Sequence, residues 1–451
     1  MLKKVTPLLV APLLFSACSV APGFERPQAP VSDRWPTGET GDTGEIDWKG
    51  FFNDARLRKL VELSLVNNRD ARVAALNVEQ IRAQYRIQRS ALFPSVGAGL
   101  SATLQDAGNL PEVRSYDLAV GVSSYELDLF GRVRSLNRSA LEQYLSSGEA
   151  NRSMRLALVS EVATQYLTER ALLEQISLSE RTLEATGKTY DLMKQRFDAG
   201  DASELDVQSV NTQVQTAKVN LANYRQQLAQ TRNALTLLVG GPLPGNLPKG
   251  GALGDRLLDD LSPGLPSQLL TRRPDIREAE HNLFAAKANI AAARAAFFPS
   301  VTLTGNAGFA SNSFSNLFQS GSGAWLFAPQ INVPIFTGGR LRANLDSARI
   351  RQEIEVAQYE KAIQTAFREV ADALVGRRGL NDRISATEAL VGAQQKRFEL
   401  ADARYQRGVD SYFQVLSAQQ DLYGAQQNLI QLRLARMANR VTLYKALGGG
   451  W

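Results

Sequence analysis

Histidine and cysteine are almost missing from this chain. Its 451 residues include one of each, His281 and Cys18, beside four methionines and four tryptophans. A single histidine excludes a histidine-containing triad, an HExxH zinc site and any multi-histidine metal centre. A single cysteine excludes an intramolecular disulfide and leaves thiol chemistry without a candidate. Beyond the N-terminus there is no run of the ~18 apolar residues that a spanning helix needs. A chain of this kind crosses a membrane only as a closed barrel, because only helices and barrels satisfy every backbone group there. Charge of one sign is lacking too: 51 Lys+Arg stand against 45 Asp+Glu, a formal +6. The basic residues are scattered among acids at helical spacing, which describes solvated helix faces and calls for no nucleic-acid partner. His281 lies in a helical run and reads as a structural hydrogen-bonding residue. Gly187-Lys188-Thr189 lacks the glycine a phosphate loop needs five residues before its second one, where Thr182 stands, and it falls mid-helix. No catalytic group, metal site or cofactor is expected, apart from a covalent lipid.

That lipid is expected at Cys18. Lys3 and Lys4 begin a targeting segment, Val5 to Phe15 is its apolar run, and Ser16-Ala17 places small residues before the cysteine. This resembles a bacterial lipobox, with Phe15 where the pattern usually has Leu. Residues 1–17 then form a signal peptide, and lipidated Cys18 begins the mature chain and anchors it. Ser19, rather than Asp, after the cysteine favours the outer membrane by resemblance to lipoprotein sorting rules.

What is present is a message stated twice. Phe93-Pro94-Ser95-Val96 returns as Phe298-Pro299-Ser300-Val301. Each copy marks the place where helical spacing gives way to alternation, because proline stops the helix before it. Residues 53–241 form repeat 1 and 266–451 repeat 2. An extended leader and equatorial segment (18–52) precedes them, and a Gly/Pro-rich linker (242–265) joins them. In repeat 1 the alternation predicts strands near 95–105 and 116–130, and in repeat 2 near 300–310 and 324–336. Val96, Ala98, Leu100, Ala102 and Leu104 share one face of the first strand; Gly, Ser, Thr and Gln fill the other.

Between strands and linker the spacing is a heptad. Val159, Val162, Tyr166, Leu173, Ile176, Leu183, Tyr190 and Phe197 lie on one helix. Val210, Val214, Ala217, Leu221, Tyr224, Leu228, Leu235 and Leu238 lie on the next. Adding 208 to these numbers recovers the pattern in repeat 2, broken only by Asn381 on the first helix and by Arg436 on the second. Coiled-coil hairpins are therefore predicted over 133–239 and 340–447. Their first helices, roughly 66 residues, reach about 100 Å at 1.5 Å per residue.

Four strands do not close a barrel. Two chains would give eight strands and a filled interior; three would give twelve and room for a lumen. An ordinary soluble sheet packed on helices is the other reading, though it would need neither lipidation nor such helices.

The residues quoted so far, with Tyr125-Glu126-Leu127-Asp128-Leu129-Phe130-Gly131, Arg272-Arg273-Pro274-Asp275-Ile276 and Pro334-Ile335-Phe336-Thr337-Gly338-Gly339-Arg340, resemble the TolC-like outer membrane factors. The match is to the lipoprotein branch that serves RND-type efflux pumps. The resemblance covers essentially the whole mature chain. It implies a mainly α fold with a β-barrel: long antiparallel coiled-coil helices forming a periplasmic tunnel, and four strands per chain in a trimeric twelve-stranded barrel. It implies a homotrimer in the outer membrane of a Gram-negative bacterium. It also implies a periplasmic adaptor and an inner-membrane RND transporter as partners, and passive conduction of drugs or other small toxic compounds. Type I protein secretion and a structural envelope-spanning lipoprotein are the alternatives.

The tunnel's closed end is expected at the hairpin tips, Arg196–Val207 and Arg404–Val415. By position in the family's tips, Asp206 and Asp410 are expected to face the pore and Tyr405 to act as a latch, with Arg196 and Arg404 beside them. Capping of the helix turns is the plainer reading of the same acids. Ser417 departs from the family, which often has an acid there.

Overall fold

The computed structural model describes residues 27–39, 41, 47–106, 108 and 112–449. Cys18 and the targeting segment lie outside the described residues. In chain order the elements are α1 (Trp48–Phe51), α2 (Ala55–Asn67), α3 (Arg69–Ser90), β1 (Val96–Gln105), β2 (Val113–Leu127), α4 (Arg132–Asp198) and α5 (Glu204–Val239). Then come α6 (Leu269–Arg272), α7 (Pro274–Ala295), β3 (Ser300–Ser311), β4 (Gly323–Asn332), α8 (Arg340–Gln406) and α9 (Tyr412–Ala446). The second strand starts earlier than its alternation suggests and stops at Leu127. The fourth stops at Asn332, short of 336, just before Pro334 in the link to α8. Two compact units emerge, one built on 78–147 and 279–359, the other on 29–77, 148–278 and 360–451.

In the first unit the strands pair antiparallel in the order β1-β2-β3-β4, so β1 and β4 are edges. Register puts Leu100 opposite Leu118 and Leu118 opposite Phe309, all on one face. Ser101 faces Asp117 on the other, where Thr302 faces Gln330 and Ser300 faces Asn332. The apolar face is bare: Val96, Leu100, Trp325, Phe327 and Ile331 are all at least 61% exposed.

A bulge between Val122 and Tyr125 carries Ser124 at φ 54. One extra residue shifts everything after it to the opposite face. Tyr125 and Leu127 thereby pair with Leu303 and Val301 on the apolar side, and Glu126 with Thr302 on the polar side. Asp128 then caps α4, accepting from the amides of Val133 (3.1 Å) and Arg134 (2.8 Å). His281 is held by Glu142, Nδ1 to Oε2 at 2.8 Å, and Arg138 meets the same carboxylate at 2.5 Å.

In the second unit most heptad positions of α5 and α9 are buried, from Val210, Val214 and Ala217 to Leu429, Leu432 and Leu443, while Tyr224 and Leu238 are half-buried and Val239 is inside at the end of α5. The seam of α4 departs from its expected line. Val159, Val162 and Tyr166 are buried, but Leu173, Ile176 and Leu183 are half-buried, and Gln175, Ser179 and Thr186 are inside instead. These polar side chains bond across to α9. Gln175 donates to the Gln427 carbonyl (3.1 Å), Ser179 meets the Tyr423 hydroxyl (2.9 Å), and Gln427 donates to the Tyr224 hydroxyl (3.0 Å). Buried polar groups are favoured where they find partners; the Gln175 amide nitrogen has one, while its Oε1 is buried without one.

Leader and linker pack on the same unit. Trp35 stacks on Phe367 at 5.0 Å and donates to the Gly264 carbonyl at 2.9 Å. Glu39 pairs with Arg377 and Arg378. Phe51 stacks on Tyr444 at 4.5 Å. Buried Arg273 joins Asp275 (2.6 Å), Glu369 (2.8 Å) and the Ala446 carbonyl (2.9 Å), tying α7, α8 and the end of α9. Gly240 closes α5 at φ 80, and a Cβ there would lie 2.3 Å from the Asn67 carbonyl oxygen, so only glycine fits.

Candidate functional site

Both hairpin tips are built on one turn. Helix α4 ends in left-handed Gly200 (φ 86), with the Asp201 amide returning to the Arg196 carbonyl at 2.8 Å. Helix α8 ends in Gly408 (φ 72), with Val409 returning to Arg404 at 3.0 Å. Left-handed glycine after the last turn ends a helix while satisfying its orphan carbonyls. Ser203 and Ser411 then open α5 and α9.

The acids differ. Asp206 completes a capping box with Ser203: its carboxylate accepts from the Ser203 hydroxyl (2.7 Å) and amide (3.2 Å), and its amide donates to the Ser203 hydroxyl (3.2 Å). Asp410 takes a two-pronged grip from Arg404, at 2.5 and 3.1 Å. Hydrogen bonding and charge from Arg404 hold the Asp410 carboxyl below its ordinary pKa and raise that of the guanidinium.

With an offset of 208, Arg196 matches Arg404, but Ala202 stands where Asp410 does and Gln414 where Asp206 does. Arg196 therefore has no acid at the matching place in its own turn. It donates instead to the Tyr405 hydroxyl of the other hairpin, its guanidinium 5.6 Å from that ring's centre. Tyr405 meets Tyr412 edge-on at 5.1 Å. Beneath them Met193, Val207, Val210, Tyr412, Val415 and Leu416 form one core shared by both hairpins. All five candidate residues are thus at the tips: Arg404 with Asp410, Arg196 with Tyr405, and Asp206 in a cap. Sequence reasoning did not find the Arg196–Tyr405 contact; its signal was the missing acid at Ala202. Near Ser417, Arg397 bonds to Asp421 (2.5 Å) and reaches the Ser417 hydroxyl at 3.3 Å.

Among the described residues no group of three or more His, Cys, Asp or Glu is arranged to hold a metal. Among them too, no helix is long and apolar enough to cross a membrane. Lys188, of the phosphate-loop lookalike, forms an exposed ion pair with Glu184 at 2.8 Å.

The outer membrane efflux protein family matches this chain twice, over residues 60–241 and 265–449. The chain belongs to the outer membrane efflux proteins. Among relatives of this outer membrane efflux protein, the toluene efflux pump outer membrane protein TtgC of Pseudomonas putida is 47% identical, covering 100% of this chain and 96% of its own. Outer membrane protein OprJ of Pseudomonas aeruginosa is 44% identical, with 99% and 96% covered. The open-state crystal structure of the Neisseria gonorrhoeae MtrE outer membrane channel is 37% identical, with a TM-score of 0.90 over 96% of this chain and 98% of that one. This outer membrane efflux protein has the fold of the trimeric TolC-like channels: mainly helical and duplicated, with long tunnel hairpins and four strands contributing to a barrel. Its place is the outer membrane, and its function is that of an efflux channel.

Proposed function

We propose that three copies of this chain form the passive exit duct of a tripartite RND-type efflux pump. The observation that carries this reading is the sheet. Among the described residues its edges β1 and β4 take no further strand, one face is bare and apolar, and the other carries Ser, Thr, Asn and Gln. An edge left open is a template for another strand. Pairing β4 of one copy with β1 of the next, three times, closes twelve strands around a wet lumen and leaves no edge in lipid. The duct has no chemical step. It takes drugs or other small toxic compounds from an inner-membrane transporter through a periplasmic adaptor. Leu205, Val409 and Phe413, exposed at the tips, are the surface offered to that adaptor.

The tips are the gate. The Arg404–Asp410 pair shapes one turn, and the Arg196–Tyr405 contact ties the two hairpins together, so releasing the tie frees one to move against the other. Around a threefold axis each inward carboxylate recurs three times, and arginine or a cation offsets the repulsion. Lipid on Cys18 adds one anchor per chain, and the barrel is the main hold.

Crosslinking of outer-membrane fractions with heat-modifiable migration tests the assembly. A trimer is expected, and it persists in Cys18→Ala. A monomer released by high salt contradicts the reading. Deleting the gene should sensitise cells to a set of antibiotics, dyes or solvents; unchanged susceptibility to all of them contradicts the pump role.

A further inference from the structure

The turn joining β3 to β4 is firmly built. Phe314–Asn316 makes one tight helical turn, and Leu317 behind it is fully buried. The Leu317 carbonyl accepts from the Ser322 hydroxyl at 2.7 Å, and the Ser322 carbonyl accepts from the Ala310 amide at 2.8 Å. From Ser311 to Gly323 the sequence carries no charge. Both helix junctions, α7 into β3 and β4 into α8, lie at the opposite end of these strands, so this turn is at the outer rim of the sheet.

Its two aromatic side chains point to a definite side. Phe314 meets Tyr116 edge-on at 5.7 Å, and Phe318 meets Phe309 edge-on at 5.7 Å. Register places Tyr116 beside Ala102 and Phe309 beside Leu118, all on the apolar face. The turn is therefore folded outward over the central strands β2 and β3. A turn roofing the lumen would have met Asp117, Asn306 or their polar neighbours. Phe314 nonetheless stays 59% exposed and Phe318 68%.

We propose that this turn is a lipid anchor: Phe314 and Phe318 bed among acyl chains at the outer leaflet, and their side of the channel mouth is left unroofed. Lipid is the occupant because the two rings continue the exposed band of Trp325 and Phe327, and because the turn offers no charge to a polar partner. The inference rests on the membrane placement of the sheet proposed above.

The chain's lone cysteine makes the test clean. Single Phe314→Cys and Phe318→Cys variants, checked for trimers, carry a nitroxide label in phospholipid vesicles, with wild type as the blank. Collisions with oxygen, which partitions into lipid, are compared with collisions with a water-soluble nickel chelate. Oxygen should dominate at both sites. Nickel dominating at either site puts the turn in water and overturns the proposal; shielding from both reagents means a protein cover and overturns it equally. A label at Val120, on the apolar face of β2, separates the two levels. If Val120 is lipid-exposed and the turn is not, only this inference fails; if Val120 is in water, the membrane reading fails with it. Should a cysteine variant not assemble, Phe318→Trp replaces it. Its added fluorescence should be quenched by vesicles brominated on the acyl chains, and no quenching counts against the proposal.

Discussion

The two hairpin tips share a turn and differ in where they put one carboxylate. Tip one spends its acid on a helix cap, Asp206 with Ser203, and has Ala202 in the turn. Tip two has its acid in the turn, Asp410 on Arg404, and its cap residue Ser411 makes no side-chain cap bond. The matched arginines therefore have different partners. Arg404 is occupied within its own turn, while Arg196 is available to reach Tyr405 across the hairpins. In this duplicated element the arginine without an acid in its own turn is the one that makes the contact between the copies.

The largest effect should come from what the tips share. Met193, 2% exposed, packs between them, and Met193→Ala should cost about 2–5 kcal/mol in local stability, by the usual toll of truncating a buried side chain. Hydrogen exchange of both tips would read it. Loss of protection at only one tip would show that the core is not shared.

Next comes the cap. Ser203→Ala should weaken the start of α5 by about 1 kcal/mol, whereas Ser411→Ala, removing no cap bond, should be near neutral. Equal effects would erase the distinction between the tips.

Smaller again is the response to pH. The Asp410 carboxyl is held below its ordinary range by Arg404. A depressed carboxyl contributes stability above its unfolded pKa and loses it as pH falls through the folded one. The Arg404–Asp410 pair should thus be unchanged between about pH 5 and pH 8 and fail only in stronger acid. Titration of Asp410 by NMR on labelled protein checks this; a midpoint above the ordinary Asp range contradicts it. Glu278 runs the other way: burial, then Asp275 and Glu149, push its carboxyl up. Its contribution is present at low pH and lost as pH rises through the raised value, so Glu278→Gln should slightly raise the melting midpoint at pH 7, with no gain near pH 4. No gain at pH 7 would argue against a strained carboxylate.

Much of this was legible in the residues. The repeat, the strand faces and most of the α5 and α9 seams follow from local spacing, because one buried face imposes one period. The α4 seam was not legible beyond Tyr166, since Gln175 and Ser179 are buried by partners on α9, more than 240 residues away. The bulge left a trace: apolar positions run Leu118, Val120, Val122 and then Tyr125, Leu127, a slip from even to odd. Asp206 and Asp410 were placed at the tips by sequence, but their separate partners depend on whether a neighbouring arginine is within reach, and spacing alone does not encode that.

Single-channel conductance in planar bilayers tests the central claim most directly, with Ala202→Asp set against wild type. The new acid gives Arg196 the partner that Arg404 already has, so Tyr405 is released and the tips loosen. The account predicts trimers of low conductance for wild type and clearly higher conductance for Ala202→Asp, with Arg196→Ala rising likewise. Equal conductance in all three, with trimers intact, would contradict a gate held by the contact between the hairpins.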